Sequence, residues 1–312
     1  MESNQRIGHG EAHAKLILLG EHAVVYGQPA IAIPVNLLKM HVTLTKIRHG
    51  QFIEDSDEMR RRLELMEDDF EGIRQLILRL LLKFGEENMP FSLEIDSNIP
   101  RGRGLGASAA LATAITKAFY DFFDSPLEDK ELLDFVNFSE SIVHGRASGI
   151  DAATVNSDKP LWFVKDQGME TIDIEMPGLL VIGDSGIHGL TSQAIATVQQ
   201  KLRENKAEAE ANIERLGDFV KQARGILTSN KVYGLGPILN GSQEILENLG
   251  VSHPKLDNLI DAARESGALG AKLTGSGLGG VIVALAANAT DAIKISQALA
   301  KHGAQNTWIF SL

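Results

Sequence analysis

The 312-residue chain contains no cysteine. This absence excludes disulfide bonds and thiolate metal sites, and it favours the reducing cytoplasm as the location of the protein. No apolar run approaches the roughly 20 residues that a transmembrane helix needs, and the first residues lack the apolar core of a signal peptide. We therefore expect a globular cytoplasmic protein without a membrane partner.

Positive charge is also scarce. Lysine and arginine together number 30 against 41 acidic residues, which gives a net charge of −11. No basic stripe stands out, so we do not expect nucleic acid as a partner. The densest basic cluster, Arg60 to Arg62, is followed at once by acidic residues within a segment of helical spacing, 58–84. This pattern predicts that the three arginines form one charged face of a helix.

The order of the segments predicts an α+β fold. The runs "AKLILL" (14–19) and "FSLEI" (91–95) are typical of strands, whereas residues 128–144 and 191–227 have helical character. The pattern restarts near residue 178 with the strand-like "LLVIGDS", and "GALGAKLTGSGLGGVIVALAA" predicts a strand, a glycine turn and a strand. Strands and helices do not alternate regularly, which argues against a doubly wound parallel sheet. The length suggests two domains, which we place at 1–177 and 178–312.

A glycine-rich loop follows the strand "FSLEI" and leads into a helical segment, in "PRGRGLGASAALATA" (100–114). A glycine loop at a helix N-terminus forms an anion site, for which phosphate is well suited. The loop lacks the Gly-Lys-Ser/Thr ending of a P-loop, and Ala107 stands where the dinucleotide fingerprint has its last glycine. Taken alone, the loop is either a phosphate site or a tight turn capped by Ser108.

Three charged residues interrupt local patterns. Lys15 lies inside the apolar run "AKLILL", where it either meets an anion or reaches water at a strand edge. Glu140 lies within the apolar stripe of its helix, where it either binds a cation or reaches water at the edge of the stripe. Asp151, in "ASGIDAATV", is either a functional carboxylate or a helix N-cap.

Four segments together resemble the motifs of the GHMP small-molecule kinases: "AKLILLGEHAVVYGQPAIAIPV", "PRGRGLGASAALATA", "GRASGIDAATV" and "AKLTGSGLGGVIV". The resemblance implies an S5-like N-terminal domain that binds ATP, a ferredoxin-like C-terminal domain, and an active site between them. The sequence departs from the family pattern in three places. His13 and Ala14 replace Pro-Gly in the first motif, Ala107 replaces the first serine of the glycine loop, and Ser276 and Leu278 interrupt the last glycine motif.

The resemblance also implies roles for individual residues. The ATP phosphates would contact the glycine loop, at Gly102, Gly104, Leu105, Gly106, Ala107 and Ser108. Ser108 and Glu140 would bind Mg²⁺, Asp151 would take the proton of the acceptor hydroxyl, and Lys15 would pair with Asp151. The acceptor would lie near Glu21, His22, Ile150 and Thr191, with His22 and Thr191 as hydrogen-bond donors. Arg101 and Arg103 either add charge at the phosphates or face solvent.

The implied reaction is transfer of phosphate from ATP to a small alcohol. The segments "GEHAVVYG" and "SGID" are most similar to those of family members that act on mevalonate, which implies 5-phosphomevalonate as product and a role in isoprenoid biosynthesis. Homoserine, a sugar or phosphomevalonate remain alternative acceptors, and a non-catalytic nucleotide-binding regulator is an alternative of another class. Homodimers are common in the family, and we expect one here.

Overall fold

A computed structural model describes residues 6–55, 60–66, 70–144, 149–229 and 231–312. The chain forms two compact units. Unit 1 comprises Met1–Ala14, Pro34–Ile99 and Gly106–Asn156, and unit 2 comprises Lys15–Ile33, Pro100–Leu105 and Ser157–Leu312. Two long strands, β1 (Ile7–Leu19) and β2 (Ala30–Lys46), each have residues in both units. The single boundary near residue 177 stays a prediction.

Strands of unit 1 pair side by side in the order β4-β3-β5-β2. Here β3 is Gln51–Glu54, β4 is Arg60–Arg62 and β5 is Phe91–Ser97. The β3 strand runs parallel to β5 and antiparallel to β4, and β5 runs antiparallel to β2. The predicted "FSLEI" strand is confirmed, because Phe91, Leu93 and Ile95 are buried while Glu94 is exposed.

The helices of unit 1 are α1 (Glu71–Lys83), α2 (Ala107–Phe123), α3 (Asp129–His144) and α4 (Ile150–Thr154). Helix α3 packs against both α1 and α2. The small residues of "ASAALATA" place α2 in the core, since Ala109, Ala110, Ala112 and Ala114 are all fully buried. The predictions of helices after the glycine loop and across 128–144 are confirmed.

The prediction of a charged helix face at Arg60 to Arg62 is wrong. These residues form β4, and α1 begins only at Glu71. The guanidinium of Arg60 lies 4.1 Å from the ring centroid of Phe52 on β3 and pairs with Glu54 at 3.1 Å. Cross-strand contacts of this kind outweigh local helix propensity. Residues 56–59 and 67–69 of the same predicted helix lie outside the described residues.

Unit 2 contains a four-stranded antiparallel sheet in the order β11-β8-β10-β9. Its strands are β8 (Leu179–Asp184), β9 (Gly270–Thr274), β10 (Val281–Ala286) and β11 (Thr307–Ser311). A hairpin of β6 (Leu161–Val164) and β7 (Gly168–Thr171) pairs with the first residues of β2. All side chains of β9 and β10 are buried, which confirms the predicted strand, glycine turn and strand.

The described residues of unit 2 also form the α-helices α5 (Thr191–Glu204), α6 (Lys206–Leu227), α7 (Val232–Asn248), α8 (Pro254–Glu265) and α9 (Ala289–Lys301). The predicted helical segment 191–227 is confirmed but divides at Asn205, whose side chain accepts a hydrogen bond from the backbone of Glu208 and caps α6. Both units mix helices with a largely antiparallel sheet, so the α+β prediction is confirmed. No helix in the described part of the chain is long and apolar enough to cross a membrane.

Candidate active site

The glycine loop leads directly into helix α2. Gly102, Gly104 and Gly106 all adopt positive φ angles, of 66°, 78° and 75°, which glycine adopts without the steric cost of a Cβ atom. Gly106 is the N-cap of α2 and Ala107 is its first residue, so no side chain caps the helix. Leu105, the last loop residue before Gly106, is fully buried. The first turn of α2 therefore presents backbone N–H groups that no preceding helical carbonyl can accept.

Ser108 has a different role from the predicted alternative of a turn cap. It is the second residue of α2, and its hydroxyl donates a hydrogen bond to Glu140 of α3 at 2.5 Å. Glu140 is only 6% exposed, so the alternative that it reaches water at the edge of its helix is wrong. A hydroxyl and a carboxylate held together in this way are the hard oxygen ligands that Mg²⁺ prefers. The described residues contain no cluster of three or more potential metal-binding side chains, so such an ion would need phosphate and water as further ligands.

Asp151 lies in the first turn of the short helix α4. Gly149, with φ 85°, precedes this helix, so Asp151 is its second residue and not its N-cap. Asp151 is partly buried, whereas the neighbouring Ile150 is almost completely buried. Residues 145–148 of the same motif lie outside the described residues. The roles of Asp151 and Ile150 stay predictions.

Lys15 is buried within β1, with only 3% of its surface exposed. The alternative that it reaches water at a strand edge is therefore wrong. Its backbone N–H donates to the carbonyl of Leu105 at 3.0 Å, which joins β1 to the glycine loop. Lys15 belongs to unit 2 and Asp151 to unit 1, and the pairing of the two side chains stays a prediction.

Ser276 connects two of the residues that we expect near the acceptor. The His22 ring bonds the Ser276 carbonyl through Nε2 at 2.9 Å, and the Thr191 hydroxyl donates to the Ser276 hydroxyl at 3.2 Å. The turn that carries His22, the start of α5 and the glycine turn after β9 are thereby brought together within unit 2. The residue that interrupts the family's glycine motif thus forms the link between these segments.

The tautomer of His22 follows from its partner. A carbonyl oxygen can only accept, so the neutral ring carries its hydrogen on Nε2 and presents Nδ1 as an acceptor. Burial lowers the pKa of His22 below its ordinary value, against the opposing effect of the Ser276 carbonyl. The ring is therefore neutral at pH 7. His22 also has a positive φ of 59°, which is uncommon outside glycine.

Glu21 forms an ion pair with Lys272 of β9, and both side chains are completely buried. The Lys272 ammonium also donates to the carbonyl of Leu273 at 2.6 Å, while Oε2 of Glu21 has no hydrogen-bond partner among the described residues. Burial raises the pKa of the Glu21 carboxyl and lowers the pKa of the Lys272 ammonium, and the contact between them opposes both shifts. Sequence reasoning missed Lys272, although a lysine inside the apolar strand "GAKLT" is the same signal that identified Lys15.

The side chain of Arg103 does not face solvent, and its guanidinium is already hydrogen-bonded to other side chains and not directed at phosphate. Its Nε donates to Asp184 at the end of β8 at 2.8 Å, and Nη2 donates to Gln305 at 3.4 Å. The side chains of Arg103 and Asp184 are only 10% and 2% exposed. Asp184 was also missed by sequence reasoning, although an aspartate that ends a buried strand is a detectable signal.

Two family models match the chain. The model described as GHMP kinases N terminal domain matches residues 73–157, and the one described as GHMP kinases C terminal matches residues 223–305. Among curated relatives, the mevalonate kinase of Pyrococcus abyssi is 33% identical over 302 residues, which covers 90% of this chain and 89% of the relative. The mevalonate kinase of Pyrococcus furiosus is 33% identical over 298 residues, with coverage of 89% and 88%.

Solved structures have the same fold. The mevalonate kinase from methicillin-resistant Staphylococcus aureus MRSA252 is 33% identical, with a TM-score of 0.76 and coverage of 98% of this chain and 99% of that one. The L. major mevalonate kinase in complex with R-mevalonate has a TM-score of 0.83, with coverage of 99% and 96%. At 24% identity, the second likeness is one of fold alone.

Proposed function

Because the chain belongs to the GHMP kinase family, we propose that it transfers the terminal phosphate of ATP to the primary 5-hydroxyl of mevalonate. The curated relatives at 33% identity over about nine tenths of the chain support this acceptor. Within the structure, the observation that carries the proposal is the link through Ser276 between His22 and Thr191. It joins two distant segments that are both expected to contact the acceptor.

The nucleotide would lie on the glycine loop and the first turn of α2. The backbone N–H groups at a helix N-terminus and the partial positive charge there stabilise phosphate oxygens. Positive φ angles at three glycines let the backbone approach the phosphates closely. A Mg²⁺ ion held by Ser108 and Glu140 would neutralise charge on the phosphates, and the 2.5 Å contact between these side chains supports this assignment.

The protein's own residues would position the acceptor and manage its proton. The acceptor oxygen forms a bond to the terminal phosphorus while the bond from that phosphorus to the bridging oxygen of ADP breaks. Asp151 takes the hydroxyl proton, and Lys15 stabilises the negative charge that develops on the oxygen. Since the transition state of phosphoryl transfer is loose, positioning and charge neutralisation provide most of the rate acceleration.

The geometry of His22 refines how the acceptor would be held. Its Nε2 hydrogen is already donated to Ser276, so the ring offers Nδ1 as an acceptor for a substrate hydroxyl, where we had expected a donor. Mevalonate carries two hydroxyl groups that can donate to such an atom. Its carboxylate needs a separate donor, and its methyl group needs an apolar contact, for which Ile150 is our candidate.

An acceptor panel tests the proposal. Purified protein is incubated with labelled ATP and, in turn, mevalonate, phosphomevalonate, homoserine and galactose, and kcat/KM is measured for each. We expect mevalonate to have the highest value. A higher value for another acceptor would overturn the substrate, and ATP binding without transfer to any acceptor would favour a non-catalytic regulator.

Two further assignments are proposals: the family resemblance implies a dimer, and the absence of cysteine favours the cytoplasm. We expect a homodimer in solution, which light scattering coupled to size-exclusion chromatography measures directly. We also expect a cytoplasmic location, which fractionation of the source cells tests.

A further inference from the structure

The glycine loop is held from one side by a buried charge. Arg103, in the middle of "PRGRGLG", turns its guanidinium away from solvent to meet Asp184 at 2.8 Å and Gln305 at 3.4 Å. The same oxygen of Asp184 accepts the backbone N–H of Gly186 at 2.8 Å. One carboxylate therefore holds both the glycine loop and the segment that follows β8.

Backbone contacts continue this arrangement on both sides of Arg103. The Gly102 carbonyl accepts a hydrogen bond from the Gly189 N–H at 2.8 Å. A Cβ atom at Gly280 would lie 2.8 Å from the Arg103 carbonyl oxygen, and one at Gly104 would lie 3.5 Å from the Cα of Gly275. The loop thus packs against two other segments of unit 2, with no room for a Cβ atom at Gly280 and ordinary van der Waals contact at Gly104, and Arg103 is its side-chain anchor.

Stability alone does not account for this anchor. A buried ion pair often contributes no more to folding than apolar residues of similar size, because both charges lose their hydration. The Nη1 atom of Arg103 is buried and has no hydrogen-bond partner among the described residues, which adds an uncompensated cost. This ion pair contributes little to stability, and one of its members lies in the loop that we assign to ligand binding. Its presence is therefore better explained by its effect on the conformation of that loop.

We infer that Arg103 is a positioning residue for nucleotide binding, which fixes the glycine loop through its buried ion pair with Asp184. The inference rests on the proposed assignment of this loop to the ATP phosphates. It differs from the two roles expected from the sequence, because the charge of Arg103 is directed at Asp184 and not at phosphate or water. Asp184 acts through Arg103 and is therefore also a positioning residue.

The variant Asp184→Asn distinguishes positioning from simple electrostatics, because the two predict changes of opposite sign in the affinity for ATP. The variant removes a negative charge near a loop that binds an anion, so Coulomb interactions alone predict tighter binding of ATP. Loss of the anchor predicts weaker binding. Isothermal titration calorimetry with ATP and Mg²⁺, without an acceptor, measures the dissociation constant for Asp184→Asn, Arg103→Met and the double variant.

We expect the dissociation constant of ATP to rise about tenfold in all three variants, while the double variant regains the thermal stability that Arg103→Met loses. A merely structural pair would recover stability and affinity together in the double variant. The matched control is Arg224→Met with Glu170→Gln, an exposed ion pair of the same unit, which should leave ATP binding unchanged.

The outcomes separate this inference from the proposed function. If the wild-type protein does not bind ATP, the proposed function fails. If the wild type binds ATP and Asp184→Asn binds it equally well or more tightly, the positioning role of Arg103 is overturned while the kinase assignment remains. Recovery of both affinity and stability in the double variant would overturn the inference in the same way.

Discussion

Replacing Lys272 with methionine removes the partner of a completely buried carboxylate. Glu21 lies in the turn that we assign to the acceptor, and no part of either side chain is exposed. The second carboxylate oxygen has no hydrogen-bond partner in the described part of the chain, so without Lys272 only the smaller effects of a backbone hydrogen bond and of the Lys15 charge stabilise the carboxylate. Breaking a buried ion pair from one side typically costs about 3–5 kcal/mol of stability.

Protonation of Glu21 limits this cost. Burial already raises the pKa of the Glu21 carboxyl, and without Lys272 that shift becomes larger because the opposing contact is gone. The ordinary pKa is 4.5, so pH 7 lies about 2.5 units above it, and neutralising the carboxyl there costs about 3.4 kcal/mol at 1.36 kcal/mol per unit. We therefore expect Lys272→Met to lose about 3 kcal/mol of unfolding free energy at pH 7.

The loss of unfolding free energy in Lys272→Met should also depend on pH, and the raised pKa of Glu21 sets the sign of this dependence. In the variant, the folded state holds its proton at a pH where the unfolded state has released it, so stability falls as pH rises above 4.5. The raised pKa of Glu21 gives the wild type a pH dependence of the same sign, so the deficit against wild type should shrink on acidification by at most about 1.4 kcal/mol per pH unit. Urea unfolding at pH 7, 6 and 5 measures it.

Two controls accompany this measurement. Glu21→Gln combined with Lys272→Met removes both charges and should be more stable than Lys272→Met alone at pH 7. Lys221→Met breaks an exposed ion pair with Asp218 in the same unit and should change stability by less than about 1 kcal/mol. A loss at Lys272 as small as that at Lys221, or one that does not vary with pH, would refute the reasoning.

Three further predictions concern the candidate site. Asp151→Asn should lower kcat by several orders of magnitude while the calorimetric affinity for ATP stays close to wild type, since Asp151 is not the cap of α4; near-normal turnover would remove its catalytic role. Glu140→Gln should raise the Mg²⁺ concentration for half-maximal rate about tenfold or more, and a titration that overlays the wild type would retire the metal assignment. His22→Asn should lose less stability between pH 7 and 5 than wild type, because the lowered pKa of His22 means that only the unfolded chain takes up a proton below its ordinary 6.5; urea midpoints with equal pH dependence would contradict this.

Local patterns in the sequence predicted most of the secondary structure. The alternation of "FSLEI" is a property of five neighbouring residues, and it matches a strand that buries Phe91, Leu93 and Ile95 and exposes Glu94. The arginines of β4 could not be placed in this way, because their strand is stabilised by Phe52 and Glu54 on the neighbouring strand β3. The division between α5 and α6 at Asn205 interrupts a polar segment whose composition is helical on both sides.

The residues of the candidate site show the same difference between local sequence patterns and contacts over long distances in the chain. Lys15 and Glu140 stood out because each is a charge within an apolar pattern, and the structure buries both. Their expected partners came from the family resemblance. Lys272 and Asp184 carry a local signal of the same kind, but their pairing could not be predicted, because Glu21 lies 251 positions from Lys272 and Arg103 lies 81 positions from Asp184. No local period connects residues at such distances.

The interleaving of the two units limits how this chain can exchange parts with its relatives. Unit 2 draws on three separate stretches of the chain. A crossover near residue 177 would take Glu21 and Lys272, His22 and Ser276, and Arg103 and Asp184 from different parents. A chimera with a relative that differs at one of these positions should therefore function only when both members of that pair come from the same parent.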